Sequence, residues 1–396
     1  MLLFTPIKVG RLDIKNRVVM TPMVHGLASE DGYVTDKLKE RYRRIAKGGV
    51  GWIISEAAVI QPSKSPYNLR ISDDSFLPGL REFVNVVHDE NVPLGIQIVH
   101  FLKISRSGWR QKVEDFSKED LKVIVKQHVE AAERAKSAGF DSLEIHMAHA
   151  FTLASFLSLR NKRTDEYGGL SLENRMRLPM EVYTAVRDTL GKDFPIGIRI
   201  NADEFIIGGN TLLQSREIAK RFAEMGVDYI SISLGSKFED AKPPEPGFPP
   251  EPYSGYSGHR FAPRWWMPEG ANVYLAEDIR KHLRKEGLTT PIITAGKISS
   301  PEFAEEVLRE GKADLIGMAR QLLCDPDWPL KVKAEKWNEI VRCMYCGYCM
   351  DLDARYEAVK CIQWPEGLEN APTPFTPKQA NAKKAAEYIR KQYESF

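Results

Sequence analysis

Eight short, almost wholly apolar runs recur along the chain, and each is followed by a longer amphipathic stretch. The runs are Val18–Thr21, Trp52–Ser55, Leu94–Val99, Ser142–His146, Ile196–Ile200, Tyr229–Ser233, Ile292–Ala295 and Leu315–Gly317. A strand that is apolar on both faces must be covered on both sides, which is the situation of parallel strands walled by helices. The intervening stretches carry helix punctuation. Ser117 followed by Asp120 forms a capping-box pattern, Leu121, Ile124, Val125 and Ala132 share one face, and Gly139 supplies a stop. Pro301 stands where a first helical turn begins, and that helix ends before Gly311. Eight strand–helix units over roughly 330 residues predict an α/β chain folded as a TIM (β/α)8 barrel with insertions. A doubly wound open sheet is the alternative. Yet no G-x-G-x-x-G turn follows any run, and Gly48-Gly49-Val50-Gly51 precedes a strand, as a helix-to-strand turn does.

The chain of 396 residues, 43% hydrophobic and 28% charged, accommodates one large barrel with an appendage. Its 56 basic and 54 acidic residues leave a net charge of +2, which argues against nucleic acid or an anionic membrane as the main partner. No apolar run reaches the ~20 residues that span a bilayer, and Met1–Gly10 lacks the features of a signal peptide. A cytoplasmic location, with reduced cysteines, is the expectation. The expected organisation is a barrel over 1–335, a four-cysteine segment over 336–365 and a helical tail over 366–396. The stretch Thr376–Phe396, rich in Lys, Ala and Glu, reads as a solvated helix.

Four of the five cysteines crowd near the end, as C-x2-C-x2-C at Cys343, Cys346 and Cys349 with Cys361 following; the fifth, Cys324, reads as packing. Three thiolates from one turn-rich stretch and a fourth from a returning segment can surround one tetrahedral site. That suits a cubane iron–sulfur cluster or a structural zinc, and only the first moves electrons. One connection is unusual. Lys237–Gly270 is dense in proline and aromatics, which fits a lid or substrate wall on the catalytic face of a barrel, or a partner contact.

Several blocks stand in a telling order. They are Leu3-Phe4-Thr5-Pro6, Asn16 to Met23, Ser55-Glu56-Ala57, Gln97 to His100, Glu144 to His149, Phe156-Leu157-Ser158 with Asn161, Arg163 to Gly169, and Glu173-Asn174-Arg175. The set resembles the Old Yellow Enzyme family of FMN oxidoreductases over about residues 1–335. Its continuation through the cysteines resembles the iron–sulfur branch, with 2,4-dienoyl-CoA reductases, 2-enoate reductases and trimethylamine dehydrogenase. The resemblance implies FMN and a [4Fe-4S] cluster on Cys343, Cys346, Cys349 and Cys361, rather than zinc. It implies Pro22, Met23 and Val24 beside the isoalloxazine, and Ala57 small enough for close approach. Gln97 would bond the pyrimidine edge, and Arg199 would place a cation near N1 and C2=O. Gly296, Lys297, Ala319 and Arg320, after the seventh and eighth strands, would hold the phosphate. His146 and His149 would grip an electron-withdrawing oxygen of the substrate. The plainer readings are a polar barrel plug for Gln97, an ion pair for Arg199 and satisfied core positions for the histidines.

Two departures matter. Phe151 stands where many ene-reductases carry a proton-donating tyrosine, leaving His25, Tyr253, Tyr256 or water as substitutes, or a reaction that runs as a dehydrogenation. Val24 replaces the cysteine of the covalent-flavin amine dehydrogenases, so the FMN is expected to be noncovalent. The implied activity is reduction or formation of an activated C=C bond by hydride transfer at FMN N5, with an enoyl, dienoyl or cyclic acyl-CoA thioester as substrate class. Because the chain ends at Phe396 without FAD- and NAD(H)-binding domains, electrons are expected to pass through the cluster to a separate protein or subunit. A homo- or hetero-oligomer is implied. An amine dehydrogenase with Trp265 and Trp266 as a cation-binding wall, or a non-catalytic electron-relay subunit, is the alternative.

Overall fold

Burial on both faces drives the apolar runs to pair only with one another, and they do so in a closed ring. In the computed structural model, which describes residues 1–103, 111–235 and 260–394, a hairpin of β1 (Ile7–Val9) and β2 (Leu12–Ile14) precedes eight barrel strands. These are β3 (Val18–Met20), β4 (Trp52–Val59), β5 (Leu94–Val99), β6 (Ser142–Met147), β7 (Ile196–Asn201), β8 (Tyr229–Ser233), β9 (Ile292–Ala295) and β10 (Leu315–Met318). All neighbours are parallel, and β10 closes onto β3. This is the expected TIM barrel, with strand ends within a residue or two of expectation except at β4. There the register shifts between Ser55 and Ala57. The bulge at Glu56 lets the strand run on to Val59 past a charged residue.

The helices follow their caps. The Ser117 hydroxyl accepts from the Asp120 amide at 3.1 Å, and the Asp120 carboxylate accepts from the Ser117 amide at 2.8 Å. The helix Lys118–Ala138 then ends at Gly139 in the left-handed conformation. At the helix Pro301–Arg309 the Ser300 hydroxyl alone caps, accepting from the Phe303 amide at 3.2 Å.

The two ends of the barrel differ. At the N-terminal end, Val9 and Ile14 of the hairpin pack with Val19, Trp52, Ile54, Tyr229, Ile293 and Leu315. Trp52 and Tyr229 meet edge to face with centroids 4.8 Å apart. These rings fit because the facing positions are glycine; a Cβ on Gly197 would fall on the Tyr229 ring. This end is a plug, so only the C-terminal mouth remains for chemistry.

The C-terminal part folds back over the helix Asp36–Lys47. Arg41 donates to the carbonyls of Val359 at 2.9 Å and Glu369 at 2.6 Å. Arg44 forms a bidentate pair with Asp327 at 2.7 Å and donates to the Ala371 and Pro372 carbonyls. The tail helix Ala382–Glu394 is not wholly solvated. Ala385 packs with Cys346 and Ile362, and Tyr388 meets Tyr348 edge-on at 5.2 Å. Among the described residues no helix is long and apolar enough to cross a membrane.

The plug yields a stability prediction. Gly197→Ala forces a methyl group into the Tyr229 ring and is expected to cost about 1–3 kcal/mol. Thermal or urea unfolding checks it, and an unchanged midpoint would show that the layer has slack.

Candidate active site at the barrel mouth

A cavity of about 1700 Å3 opens at the C-terminal ends of the strands. The barrel positions expected to hold the flavin, its phosphate and the substrate oxygen all line it. Pro22, Met23 and Val24 follow β3, Ala57 lies on β4 and Gln97 on β5. His146 and His149 belong to β6 and its turn, and Arg199 to β7. Gly296 and Lys297 follow β9, and Ala319 and Arg320 follow β10.

Three adjacent strands build a buried polar row. Gln97 Nε2 donates to Glu144 Oε1 at 2.6 Å, and the two residues are register partners. Glu144 has no contact with solvent, and burial pushes its carboxyl up to about 7, opposed by the Arg199 charge and the Gln97 bond. Arg199 is also buried. Its Nη2 donates weakly to Ser233 Oγ at 3.4 Å, while Nε and Nη1 have no hydrogen-bond partner among the described residues. A guanidinium held this way leaves donors aimed at an acceptor that the protein does not provide, an arrangement costly without a ligand. Glu144 and Ser233 were not assigned roles from the sequence. The period-2 alternation of their strands, which puts them on the same inward face as Gln97 and Arg199, is the signal that identifies them.

Ser233 also reaches the histidine pair, sharing a 2.6 Å hydrogen bond with His149 Nε2. His149 and Ala150 both have φ near +58°, a conformation that non-glycine residues adopt at a cost. The His149 amide donates to Asn201 Oδ1 at 3.3 Å, which pins the turn. His146 Nδ1 accepts from the Ala148 amide at 3.3 Å, so the neutral ring carries its proton on Nε2. The two rings stand edge to face, 5.0 Å apart. Phe151 and Phe261 pack against them, at 4.8 Å from His146 and 5.0 Å from His149.

Other expected residues fall elsewhere. His25 is fully buried, bonded through Nδ1 to Glu56 Oε2 at 3.1 Å, and does not line the cavity, so it is no proton donor there. Trp265 and Trp266 do not line it either. Tyr253 and Tyr256, and most of the proline-rich connection, lie outside the described residues. Lys297 sits at the mouth, but its ammonium is held by the carbonyls of Trp265 at 2.6 Å, Arg264 at 3.2 Å and Met267. What it offers a ligand is its backbone beside Gly296, whose φ of +128° and closeness to Asn272 exclude a side chain.

A smaller pocket, lined by Cys343, Cys346, Cys349 and Cys361, abuts the mouth, with Arg320 and Tyr345 lining both spaces. Burial pushes the Cys343 and Cys346 thiols up, and that of Cys349 to about 12. Cys361 is held below the usual thiol range, chiefly by a hydrogen bond from Cys324. Cys324 thus touches a member of the cage as well as packing, and Gln363 Nε2 donates to its sulfur at 3.3 Å. Among the described residues no three His, Cys, Asp or Glu side chains converge to hold a single metal ion.

Comparison with known proteins fits this geometry. The model of the NADH:flavin oxidoreductase / NADH oxidase family matches residues 2–114, 102–252 and 259–339. The chain belongs to this family. Within it the likeness is to the Old Yellow Enzyme branch. NADH oxidase of Thermoanaerobacter brockii is 36% identical over 87% of this chain and 52% of its own length. Among solved structures, a 2-naphthoyl-CoA reductase in complex with 2-naphthoyl-CoA is 26% identical with a TM-score of 0.77, over 91% of this chain and 56% of that one. Histamine dehydrogenase from Rhizobium sp. 4-9 is 26% identical with a TM-score of 0.78, over 92% of this chain and 52% of that one. The chain spans about half the length of each.

The raised Glu144 carboxyl gives a pH prediction. The folded protein holds this proton up to about pH 7, whereas an unfolded glutamate releases it near its ordinary value of 4.5. Folded protein therefore binds more protons between these values, and stability falls as pH rises through that window. In flavin-free protein, Glu144→Gln should remove a loss of about 2–3 kcal/mol between pH 5 and pH 8. Urea unfolding at both pH values checks this; identical pH slopes for the two proteins would contradict it.

Proposed function

We propose that the chain binds FMN noncovalently across the barrel mouth and a [4Fe-4S] cluster in the cysteine cage, and uses the pair to reduce an activated C=C bond or, in reverse, to form one. The observation that carries this reading is Arg199, a buried cation with two unpartnered donors. It stands between the Gln97–Glu144 pair and the Ser233–His149 pair. A flavin pyrimidine edge offers the acceptors that Arg199 lacks, and bound FMN supplies reversible hydride chemistry. Gln97, tethered by Glu144, presents its remaining amide capacity beside it. Ala57 keeps the slot shallow. Pro22, Met23 and Val24 flank it. The backbone around Gly296 and Ala319, with the Arg320 charge, forms the phosphate end.

His146 and His149 do the substrate work. The Nε2 proton of His146 and the ring of His149, tied back by Ser233, can hold a carbonyl oxygen and draw electron density from the adjoining double bond. The cavity exceeds the roughly 300–1,000 Å3 of common ligand sites, which leaves room for a bulky thioester. The solved relative bound to 2-naphthoyl-CoA supports that class. With Phe151 in the position of a proton donor, Tyr253, Tyr256 or water completes the proton transfer in reduction, and the same group takes up the Cα proton when a saturated thioester is dehydrogenated. The amine-dehydrogenase reading draws on the likeness to histamine dehydrogenase. It is weakened by the two tryptophans that lie off the cavity wall.

For the cage, the electron-carrying cluster is favoured over zinc. Zinc at 2.3 Å from each thiolate would draw the sulfurs to about 3.8 Å from one another. What favours a redox centre over a structural ion is position: the cysteine pocket abuts the flavin cavity, and Arg320, Tyr345 and Cys349 line both. Each thiolate of a cubane binds its own iron. Electrons then pass to a partner carrying the next redox centre, and we place the protein in the cytoplasm.

Anaerobic photoreduction tests the activity. Photoreduced protein should regain its colour on adding enoyl or aryl thioesters, and oxidised protein should keep its colour on adding methylamines; bleaching of oxidised protein by methylamines, with no reoxidation by thioesters, would replace the reading with amine oxidation. Arg199→Met is expected to weaken FMN binding at least about tenfold, the worth of one charged hydrogen bond, as measured by flavin fluorescence. His146→Ala should leave FMN content intact and lower kcat by about 10²–10³; a variant with unchanged turnover would remove His146 from the site.

A further inference from the structure

The loop after β8 and the cysteine loop are clasped at two points. At the first, Arg264 is buried and donates through Nη1 to the Cys346 carbonyl at 3.1 Å, with Asp351 at 3.8 Å from its Nη2. Gly347, at φ +91°, makes this crossing possible, since a Cβ there would overlap the Arg264 guanidinium. At the second, the buried ring of Tyr345 lies under two cations, Arg320 at 4.8 Å and Lys297 at 5.5 Å. The Tyr345 amide donates to Cys343 Sγ at 3.4 Å, so the same residue touches the cage. Both cations also hold the loop, Arg320 through the Pro263 carbonyl at 2.9 Å and Lys297 through the Trp265 carbonyl at 2.6 Å. Two like charges over one ring repel each other, and the negative π-face between them offsets that cost.

We propose that Tyr345 is a positioning residue that couples the two cofactor sites. Its ring sets Arg320 and the Gly296–Lys297 backbone for the flavin phosphate, and its amide reads the state of the cysteine cage. This rests on the assignment of FMN and the cluster made above. Loss of the cluster loosens the Cys343–Tyr345 segment, the cations lose their common ring, and FMN binds more weakly. By linkage, bound FMN raises the affinity for the cluster by the same factor.

The test uses holoprotein purified without air. Wild type should contain both iron and FMN; absence of either would sink the underlying assignment, and the coupling with it. Tyr345→Leu is expected to keep wild-type iron content and cluster absorbance while its FMN dissociation constant rises about tenfold, and Tyr345→Phe should stay within about twofold. Arg264→Met, which opens the other clasp from the side of the loop after β8, should also weaken FMN. As a readout independent of substitution, iron removal from wild type by an anaerobic chelator should raise the FMN dissociation constant by a similar factor. Unchanged FMN affinity in Tyr345→Leu with its iron intact, or in chelated wild type, would overturn the coupling.

Discussion

A guanidinium buried among three strands and left with two free donors is the interaction from which the rest of this structure takes its meaning. Charge in a barrel core is expensive unless it is fully bonded. Among the described residues Arg199 donates weakly to Ser233, and the neighbouring Glu144, its carboxyl pushed up to about 7 by burial, is a poor counter-charge. The polar row Gln97–Glu144–Arg199–Ser233–His149 is therefore an unfinished network. An acceptor-rich planar ligand completes it. The histidine pair lies at the end of that row, so whatever binds Arg199 lies next to whatever the histidines hold.

The barrel makes this possible by treating its two ends unlike. Trp52, Tyr229 and the hairpin fill the N-terminal end, with glycine at Gly95 and Gly197 where the rings must pass. With that end packed shut, the mouth carries the strained positions, the left-handed His149 and Ala150. The cysteine segment is not hung from the barrel by a tether. Arg41, Arg44 and Arg264 donate to its backbone or to residues beside it, and Tyr345 reaches into the wall of the mouth.

Much of this was legible in the residues, for definite reasons. Apolar runs buried on both faces define parallel strands, and β5, β8 and β9 have the bounds expected from the residues. The strand β4 ran longer than its pattern because a bulge at Glu56 absorbs the charged residue, and a bulge has no compositional mark. The site residues were visible as ordered blocks; their bonding was not. Lys297 looked like a phosphate ligand because it follows a strand, yet its ammonium serves three carbonyls of a preceding loop. His25 looked available because it follows Met23 and Val24, but its ring is buried against Glu56 and Tyr42. Ser233 and Arg264 drew no notice, since a serine in a strand and an arginine in a loop are common, and only three-dimensional neighbours give them a task.

The most direct test of the account is the cofactor content of protein purified without air. It predicts one FMN per chain, released by mild denaturation, together with four irons and the broad visible absorption of a cubane cluster. Colourless protein that takes up neither FMN nor iron after reconstitution would contradict it, because Arg199 and the four cysteines would then have no ligand to explain them.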